Sequence, residues 1–210
     1  LANFIWSVAD LLRGDCKQSE YGKVILPFTV LRRLDCVLAK TKQKVLGKHQ
    51  AIKGTKLQNI DPVLNKVAGE NFHNRSKFDF DKLIADPNHL APNFRNYING
   101  FSESGRQIMD KFEFEKQIER LDKSDLLYQV AKKFQEINLH PNNVSNTQMG
   151  TIFEELIRKF ADASNETAGE HFTPREVIRL MVNLLFLNDK DILTKKGIVK
   201  TLYDPACGTG

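Results

Sequence analysis

The sequence predicts a mainly α-helical chain, with an N-terminal helical domain over residues 1–163 and the start of an α/β domain over residues 164–210. Apolar residues recur at helical spacing through most of the first two-thirds. Residues 200–204 then have the character of a strand and lead into a loop of small residues, as at the first strand of an open α/β sheet. The chain starts without Met and stops in that loop, so we expect a truncated piece of a longer protein.

Apolar stripes and their breakers define the first helices. We expect one helix around Phe4–Leu12, ended by Gly14, and a longer one over about Tyr21–Lys44. Pro27 lies inside the longer helix and should kink it or mark its true start, because proline lacks the backbone N–H. The Arg32–Arg33 pair is expected on its exposed face.

Turn-forming residue pairs divide the middle of the chain, so shorter elements are expected there. The pattern predicts helices around Asp61–Ala68, Phe78–Ile84, Asn93–Ile98, Phe112–Leu121 and Asp125–Ile137, the last with Ser124 as its N-cap. Five phenylalanines are interpreted as core residues rather than as platforms for nucleic-acid bases, since phenylalanine is usually buried. They are Phe72, Phe78, Phe80, Phe94 and Phe101.

The strongest helix signal follows Ser145. Ser145 and Gln148 have the spacing of a capping box, and apolar residues from Met149 to Phe160 then occupy one helical face. The polar stretch Asp162–Gly169 predicts a loop or linker.

Composition excludes several classes of protein. Hydrophobic residues make up 41% of the 210 residues, enough for a globular core, and no apolar run approaches the roughly 20 residues that a membrane span needs. Three scattered cysteines and five histidines without ligand spacing predict neither disulfides nor a metal site. We therefore expect a cytoplasmic protein without a membrane partner.

A run of lysines stands out in a chain whose net charge is +5. The segment Cys36–Ile60 has no acidic residue, and its single-sign charge suits phosphate groups. A solvated helix end and loop would explain it equally well. The lysines are Lys40, Lys42, Lys44, Lys48, Lys53 and Lys56.

Two later segments have the character of a ligand site. Thr173, Pro174 and Glu176 fit the N-cap, N1 and N3 positions of a helix, and the N–H groups of such a helix start also suit an anion. The buried face of that helix is expected to comprise Val177, Ile178, Leu180, Met181, Leu184 and Leu185.

The second segment is the predicted strand at residues 200–204, which ends at Asp204 and is followed by the loop Pro205–Gly210. Glycines let a backbone approach a ligand closely. An acid at the end of a first parallel strand suits a cofactor crevice.

These segments together resemble a known family. The string Asp-Pro-Ala-Cys-Gly-Thr-Gly at Asp204–Gly210 is similar to the S-adenosylmethionine-binding motif of amino-group DNA methyltransferases. The His-Phe-Thr-Pro string at His171–Pro174 resembles their second cofactor-contacting element. Leu26–Asp35 and Met149–Arg158 resemble the modification subunit of type I restriction–modification systems.

The resemblance implies a Rossmann-like methyltransferase domain that transfers a methyl group from S-adenosyl-L-methionine to adenine N6 in a specific DNA sequence. The family's catalytic Asn-Pro-Pro-aromatic motif is absent and is expected beyond Gly210, so no residue here is assigned as catalytic and this piece alone should be inactive. The implied cofactor contacts are Glu170, His171, Phe172, Thr173, Pro174, Arg175, Asp204, Gly208, Thr209 and Gly210.

The resemblance also implies partners. They are double-stranded DNA, a specificity subunit, a restriction subunit and a second copy of the modification subunit. The helical domain would clamp DNA and contact these subunits, with the six lysines as the DNA face. Three alternatives remain: a methyltransferase for RNA or protein, a single-chain restriction–modification enzyme, and a helical module for DNA binding and assembly only.

Overall fold

The computed structural model describes residues 1–54, 59–164, 173, 175–188, 201 and 203–206. These ranges contain α-helices and two short 3₁₀ helices, at Gln18–Glu20 and Pro87–His89, and no strand. The α-helices are α1 (Ala2–Trp6), α2 (Val8–Leu12), α3 (Tyr21–Leu38), α4 (Lys42–Ile52), α5 (Asp61–Ala68), α6 (Phe80–Ile84), α7 (Leu90–Asn99), α8 (Glu103–Lys111), α9 (Phe114–Lys123), α10 (Leu127–Gln135), α11 (Asn146–Ser164) and α12 (Arg175–Leu185).

Helix α3 is the centre of the core. It packs against α1, α2, α9, α10 and α11, and the ring of Phe28 contacts Phe94, Phe114 and Phe134 with centroid separations of 4.8–5.8 Å. Ring contacts of this kind add to the stability that apolar burial provides. The predicted core role of the phenylalanines is confirmed, since Phe80, Phe94 and Phe101 are fully buried and Phe72 and Phe78 pack against the core.

The predicted bounds of the first helices were partly wrong. The single helix expected over Phe4–Leu12 is divided at Ser7, whose hydroxyl donates to the Phe4 carbonyl at 2.6 Å. Gly14 turns the chain as expected, with φ of 102°. Pro27 does not mark the start of α3, which begins at Tyr21 and runs on to Leu38 before a turn leads into α4.

The middle of the chain matches the prediction in part. Helix α5 has the predicted bounds, whereas α8 was missed because its sequence offers few apolar positions to set a helical period. The assignment of Ser124 as an N-cap was wrong. It follows the last residue of α9, and a left-handed Asp125 separates it from α10.

The capping box of α11 is confirmed. The Ser145 N–H donates to Gln148 Oε1 at 2.8 Å, and the Gln148 N–H donates to Ser145 Oγ at 3.2 Å. The helix continues to Ser164, so it includes the first three residues of the stretch predicted as a loop. Met149, Ile152 and Leu156 bury its apolar stripe.

The last described segments depart from the prediction. Helix α12 is described from Arg175, and the predicted N1 residue Pro174 lies outside the described residues. The predicted buried face of this helix is between 41% and 67% exposed. Thr201, Tyr203 and Asp204 are not in a strand. Burial of the apolar face of α12 and formation of the predicted strand both require a second layer of structure. A helix buries its apolar face against another element, and a strand needs a neighbouring strand to pair with. No such sheet occurs among the described residues.

Among the helices of the described ranges, none combines the length and the apolar character that crossing a membrane requires.

Candidate functional site

The two segments with predicted cofactor contacts are described only in part. Glu170, His171, Phe172 and Pro174 lie outside the described residues, as do Gly208, Thr209 and Gly210. Thr173 is exposed, and Arg175 is the first residue of α12. The exposed N-terminal turn of α12 therefore lies directly after the His-Phe-Thr-Pro string.

Asp204 begins a tight turn. Its Oδ1 accepts a hydrogen bond from the Ala206 N–H at 2.9 Å, which folds the chain back two residues later. The residue is exposed, and its Oδ2 has no partner among the described residues. The Oδ1 oxygen of Asp204 thus shapes the turn.

A cavity of the described structure lies elsewhere. It measures about 680 Å³ and opens between the end of α3, the start of α4 and the segment after α10. Its lining includes Asp35, Lys40, Lys42 and Tyr97 and none of the predicted cofactor contacts. It is therefore not the predicted cofactor site.

Four of the predicted DNA-contacting lysines are exposed. Lys44 and Lys48 lie one helical turn apart on the same face of α4. Lys40 precedes that helix and Lys53 follows it. None of the four has a carboxylate partner in the described part of the chain. Lys56 lies outside the described residues.

Lys42 corrects the prediction of a uniform lysine face, because its side chain is only 7% exposed. The Lys42 Nζ donates to Asn74 Oδ1 at 3.1 Å and lies 5.2 Å from the centroid of the Tyr97 ring. Burial lowers the pKa of this amine to about 8. A group held in this way cannot reach a phosphate on the surface.

A buried polar cluster next to Lys42 was not predicted. The Tyr97 hydroxyl donates to Asp35 Oδ1 at 2.7 Å, and Arg32 Nη1 donates to Asp35 Oδ2 at 2.8 Å. Burial raises the pKa of the Asp35 carboxyl and that of the Tyr97 phenol. The hydrogen bond from Tyr97 and the charge of Arg32 act in the opposite direction on Asp35.

The exposed position predicted for Arg32 and Arg33 was wrong, because both are partly buried and bind distant carbonyls. Arg32 donates to the carbonyls of Gln135 and Ile137 at 2.9 and 2.8 Å. Arg33 donates to those of Leu139 and Val144 and, at 2.8 Å, to Asn146 Oδ1. The sequence signal was that two adjacent arginines lie in a largely apolar helix.

Burial of His73 is expected to make the folded protein less stable in acid. Its ring is fully buried, and Nδ1 lies 2.7 Å from Asn65 Oδ1. Nε2 has no hydrogen-bond partner among the described residues and lies 3.8 Å from Asp61 Oδ1. Burial lowers the pKa of His73 to about 4, below the 6.5 of an unfolded chain. Between pH 4 and pH 6.5 the unfolded chain binds a proton at His73 more strongly than the folded protein does. The contribution of neutral, buried His73 to the free energy of unfolding is therefore complete above pH 6.5 and is lost as the pH falls toward 4.

Replacing His73 with asparagine removes this titration while keeping a donor near Asn65. Urea unfolding at several pH values between 4 and 7 should show a steeper loss of stability for the parent protein than for His73→Asn. Parallel pH profiles for the two proteins would contradict the assignment.

Two family models match this chain. The HsdM N-terminal domain family matches residues 1–134, and the N-6 DNA Methylase family matches residues 144–210. The first covers most of the helical domain. The second starts just before α11 and includes both predicted cofactor segments.

Two curated relatives are type I methylase subunits. The type I restriction enzyme MjaIX methylase subunit of Methanocaldococcus jannaschii is 25% identical over 225 aligned positions, which cover 99% of this chain and 37% of the relative. The type I restriction enzyme EcoEI methylase subunit of Escherichia coli is 33% identical over 121 positions, which cover 58% of this chain and 22% of the relative. This chain thus spans well under half the length of either relative, and by the match over residues 1–134 it belongs to the HsdM N-terminal domain family.

Proposed function

We propose that this chain is the front part of the modification subunit of a type I restriction–modification complex. The complete subunit would transfer a methyl group from S-adenosyl-L-methionine to adenine N6 in a specific sequence of double-stranded DNA. The observation that carries this proposal is the match of residues 144–210 to the N-6 DNA Methylase family next to an HsdM N-terminal domain. The two methylase-subunit relatives support it.

The cofactor-binding role is assigned to the two segments around α12 and Asp204. The second carboxylate oxygen of Asp204 would bind the ammonium of the cofactor, and Gly208, Thr209 and Gly210 would let the backbone approach it. The segment Glu170–Arg175 would border the cofactor from the start of α12. The cofactor itself supplies the reactive methyl group, while the protein supplies orientation.

The organisation that we propose has two parts. Residues 1–163 form a helical domain that contacts DNA and other subunits, and residues 164–210 begin the catalytic domain. The partners would be a specificity subunit, a restriction subunit and a second copy of the modification subunit, in the cytoplasm. The target adenine must leave the base stack before it can react, because its amino group is otherwise inaccessible.

A methyl-transfer assay tests this function. The full-length subunit and its specificity subunit are incubated with duplex DNA and cofactor labelled on the methyl group, and the DNA is digested to nucleosides. We expect the label in N6-methyladenine. Label in cytosine, in RNA or in protein would contradict the proposal.

The exposed lysines around α4 are proposed to contact DNA phosphates. Each phosphate contact that is lost should weaken binding and flatten the slope of log affinity against log salt concentration by about 0.9. The test changes four residues to glutamine together and follows duplex binding by the assembled complex over a range of salt concentrations. They are Lys40, Lys44, Lys48 and Lys53.

A matched variant controls for net charge. It replaces four exposed lysines of other elements with glutamine and should keep the parental salt dependence. Equal slopes for the parent and the α4 variant would contradict the DNA-binding role of this surface. The control residues are Lys17, Lys23, Lys111 and Lys123.

A further inference from the structure

The segment between α5 and α6 runs beside the helix that carries exposed lysines. In this segment Asn74 Oδ1 accepts a hydrogen bond from Lys42 Nζ of α4 at 3.1 Å, and His73 Nδ1 lies 2.7 Å from Asn65 Oδ1 of α5. Helices α4 and α5 also pack on each other. Arg75, the residue that follows Asn74, therefore lies beside α4.

The backbone around Arg75 is held by hydrogen bonds to the core. The Arg75 N–H donates to the Gly100 carbonyl at 2.7 Å, and Asn74 Nδ2 donates to the Tyr97 carbonyl at 2.8 Å. The Ser76 N–H donates to Asn74 Oδ1 at 2.8 Å. Asn74 and Ser76 are buried, whereas Arg75 is half-buried. The Arg75 side chain thus extends from a fixed backbone, which reduces the ordering that binding a ligand requires.

The guanidinium of Arg75 has no carboxylate or other hydrogen-bond partner in the described part of the chain. By contrast, Arg95, Arg120 and Arg158 each pair with a glutamate at 2.7–3.2 Å. The planar N–H groups of an arginine match the oxygens of a phosphate or a carboxylate. Arg75 therefore has the donors for an anionic ligand and no internal anion that occupies them among the described residues.

Electrostatic effects place the Arg75 side chain near the second half of α4. Burial lowers the pKa of the His49 imidazole, and the charges of Arg75 and Lys53 lower it further. Charges at a protein surface affect each other in this way over short distances, because water and salt screen them. Lys48 precedes His49 in α4 and is one of the exposed lysines. Arg75 is thus continuous with the lysine surface of α4.

We propose that Arg75 contacts a DNA phosphate, so that the DNA surface of the helical domain extends from α4 to the segment between α5 and α6. This inference rests on the proposed function, because it requires the exposed lysines of α4 to face DNA. Two N–H groups of a guanidinium can bind two oxygens of one phosphate, whereas the ammonium of lysine acts as a point charge. Arg75 would therefore help to orient the duplex as well as attract it.

The test is duplex binding by the assembled complex over a range of salt concentrations, for the parent, Arg75→Gln and Arg75→Lys. We expect Arg75→Gln to weaken binding about tenfold at physiological salt and to flatten the slope of log affinity against log salt concentration by about 0.9. Arg75→Lys should keep the parental slope but bind more weakly than the parent, because it retains the charge and loses the two-pronged contact. Both variants should melt near the parental temperature, because a half-buried side chain without an internal partner contributes little to folding.

Arg13→Gln is a matched control for net charge, since Arg13 is exposed and pairs with Asp10 at 3.0 Å. It should keep the parental slope and affinity. An unchanged slope in Arg75→Gln, or equal losses in Arg75→Gln and Arg13→Gln, would overturn the inference.

The variant with glutamine at the four α4 lysines separates the inference from the proposed function. If that variant keeps the parental slope, the DNA-binding role of the α4 surface fails and the inference falls with it. If that variant has a flattened slope while Arg75→Gln keeps the parental one, only the inference is wrong.

Discussion

Replacing Arg32 with alanine should lower the free energy of unfolding by about 3–5 kcal/mol, because it leaves a buried carboxylate without its charged partner. The side chains of Arg32 and Asp35 are only 14% and 11% exposed, and their atoms approach to 2.8 Å. Among the described residues, Asp35 would keep only the hydrogen bond from the Tyr97 hydroxyl. The carbonyls of Gln135 and Ile137 would lose the donors that Arg32 supplies.

Urea unfolding followed by circular dichroism measures this loss. Arg158→Ala is a matched control, since Arg158 pairs with Glu155 and Asp162 on the exposed side of α11 and should change stability little. Asp35→Asn in the Arg32→Ala background should recover part of the loss, because it removes the buried charge. A similar, small effect for Arg32→Ala and Arg158→Ala would show that the buried pair does not stabilise the fold.

Local signals in the sequence predicted much of the helical domain. The capping box of Ser145 and Gln148 and the bounds of α5 follow from residues that are neighbours in the chain. The phenylalanine core followed from hydrophobicity alone, because burial of an aromatic ring needs no specific partner.

Charged residues inside the fold could not be predicted in this way. Pattern rules place lysine and arginine at the surface, and they fail for Arg32, Arg33 and Lys42 because the partners of these residues are remote in sequence. Arg33 binds carbonyls 106 and 111 residues away, and Lys42 binds Asn74. Only the tertiary structure brings these acceptors within reach.

Residues 164–210 show a second limit of prediction from sequence patterns. The amphipathic pattern of α12 and the strand character of residues 200–204 describe what the segments bury when a sheet adjoins them. Among the described residues no sheet is present, so α12 keeps an exposed apolar face. The cofactor segments were predicted from their sequence strings, and of those residues the structure describes the Asp204 turn and the start of α12.

Asp204→Ala should abolish most of the cofactor affinity of the full-length subunit. The change removes the carboxylate oxygen that we propose binds the ammonium and also the Oδ1 acceptor that holds the Ala206 N–H. Loss of one partner of a desolvated charge pair costs about 2–5 kcal/mol, equivalent to about thirtyfold or more in the dissociation constant. Asp204→Asn should keep the turn while losing the charge, so it separates these two contributions.

The most direct measurement is calorimetric titration of S-adenosylmethionine into the full-length subunit, alone and assembled with its specificity subunit, for the parent, Asp204→Ala, Asp204→Asn and the exposed control Asp122→Ala. We expect micromolar-range binding by the parent and by Asp122→Ala, and a loss of at least about thirtyfold in both Asp204 variants. Equal affinities for all four proteins, or no binding by the parent even in the assembled complex, would contradict a cofactor site at Asp204.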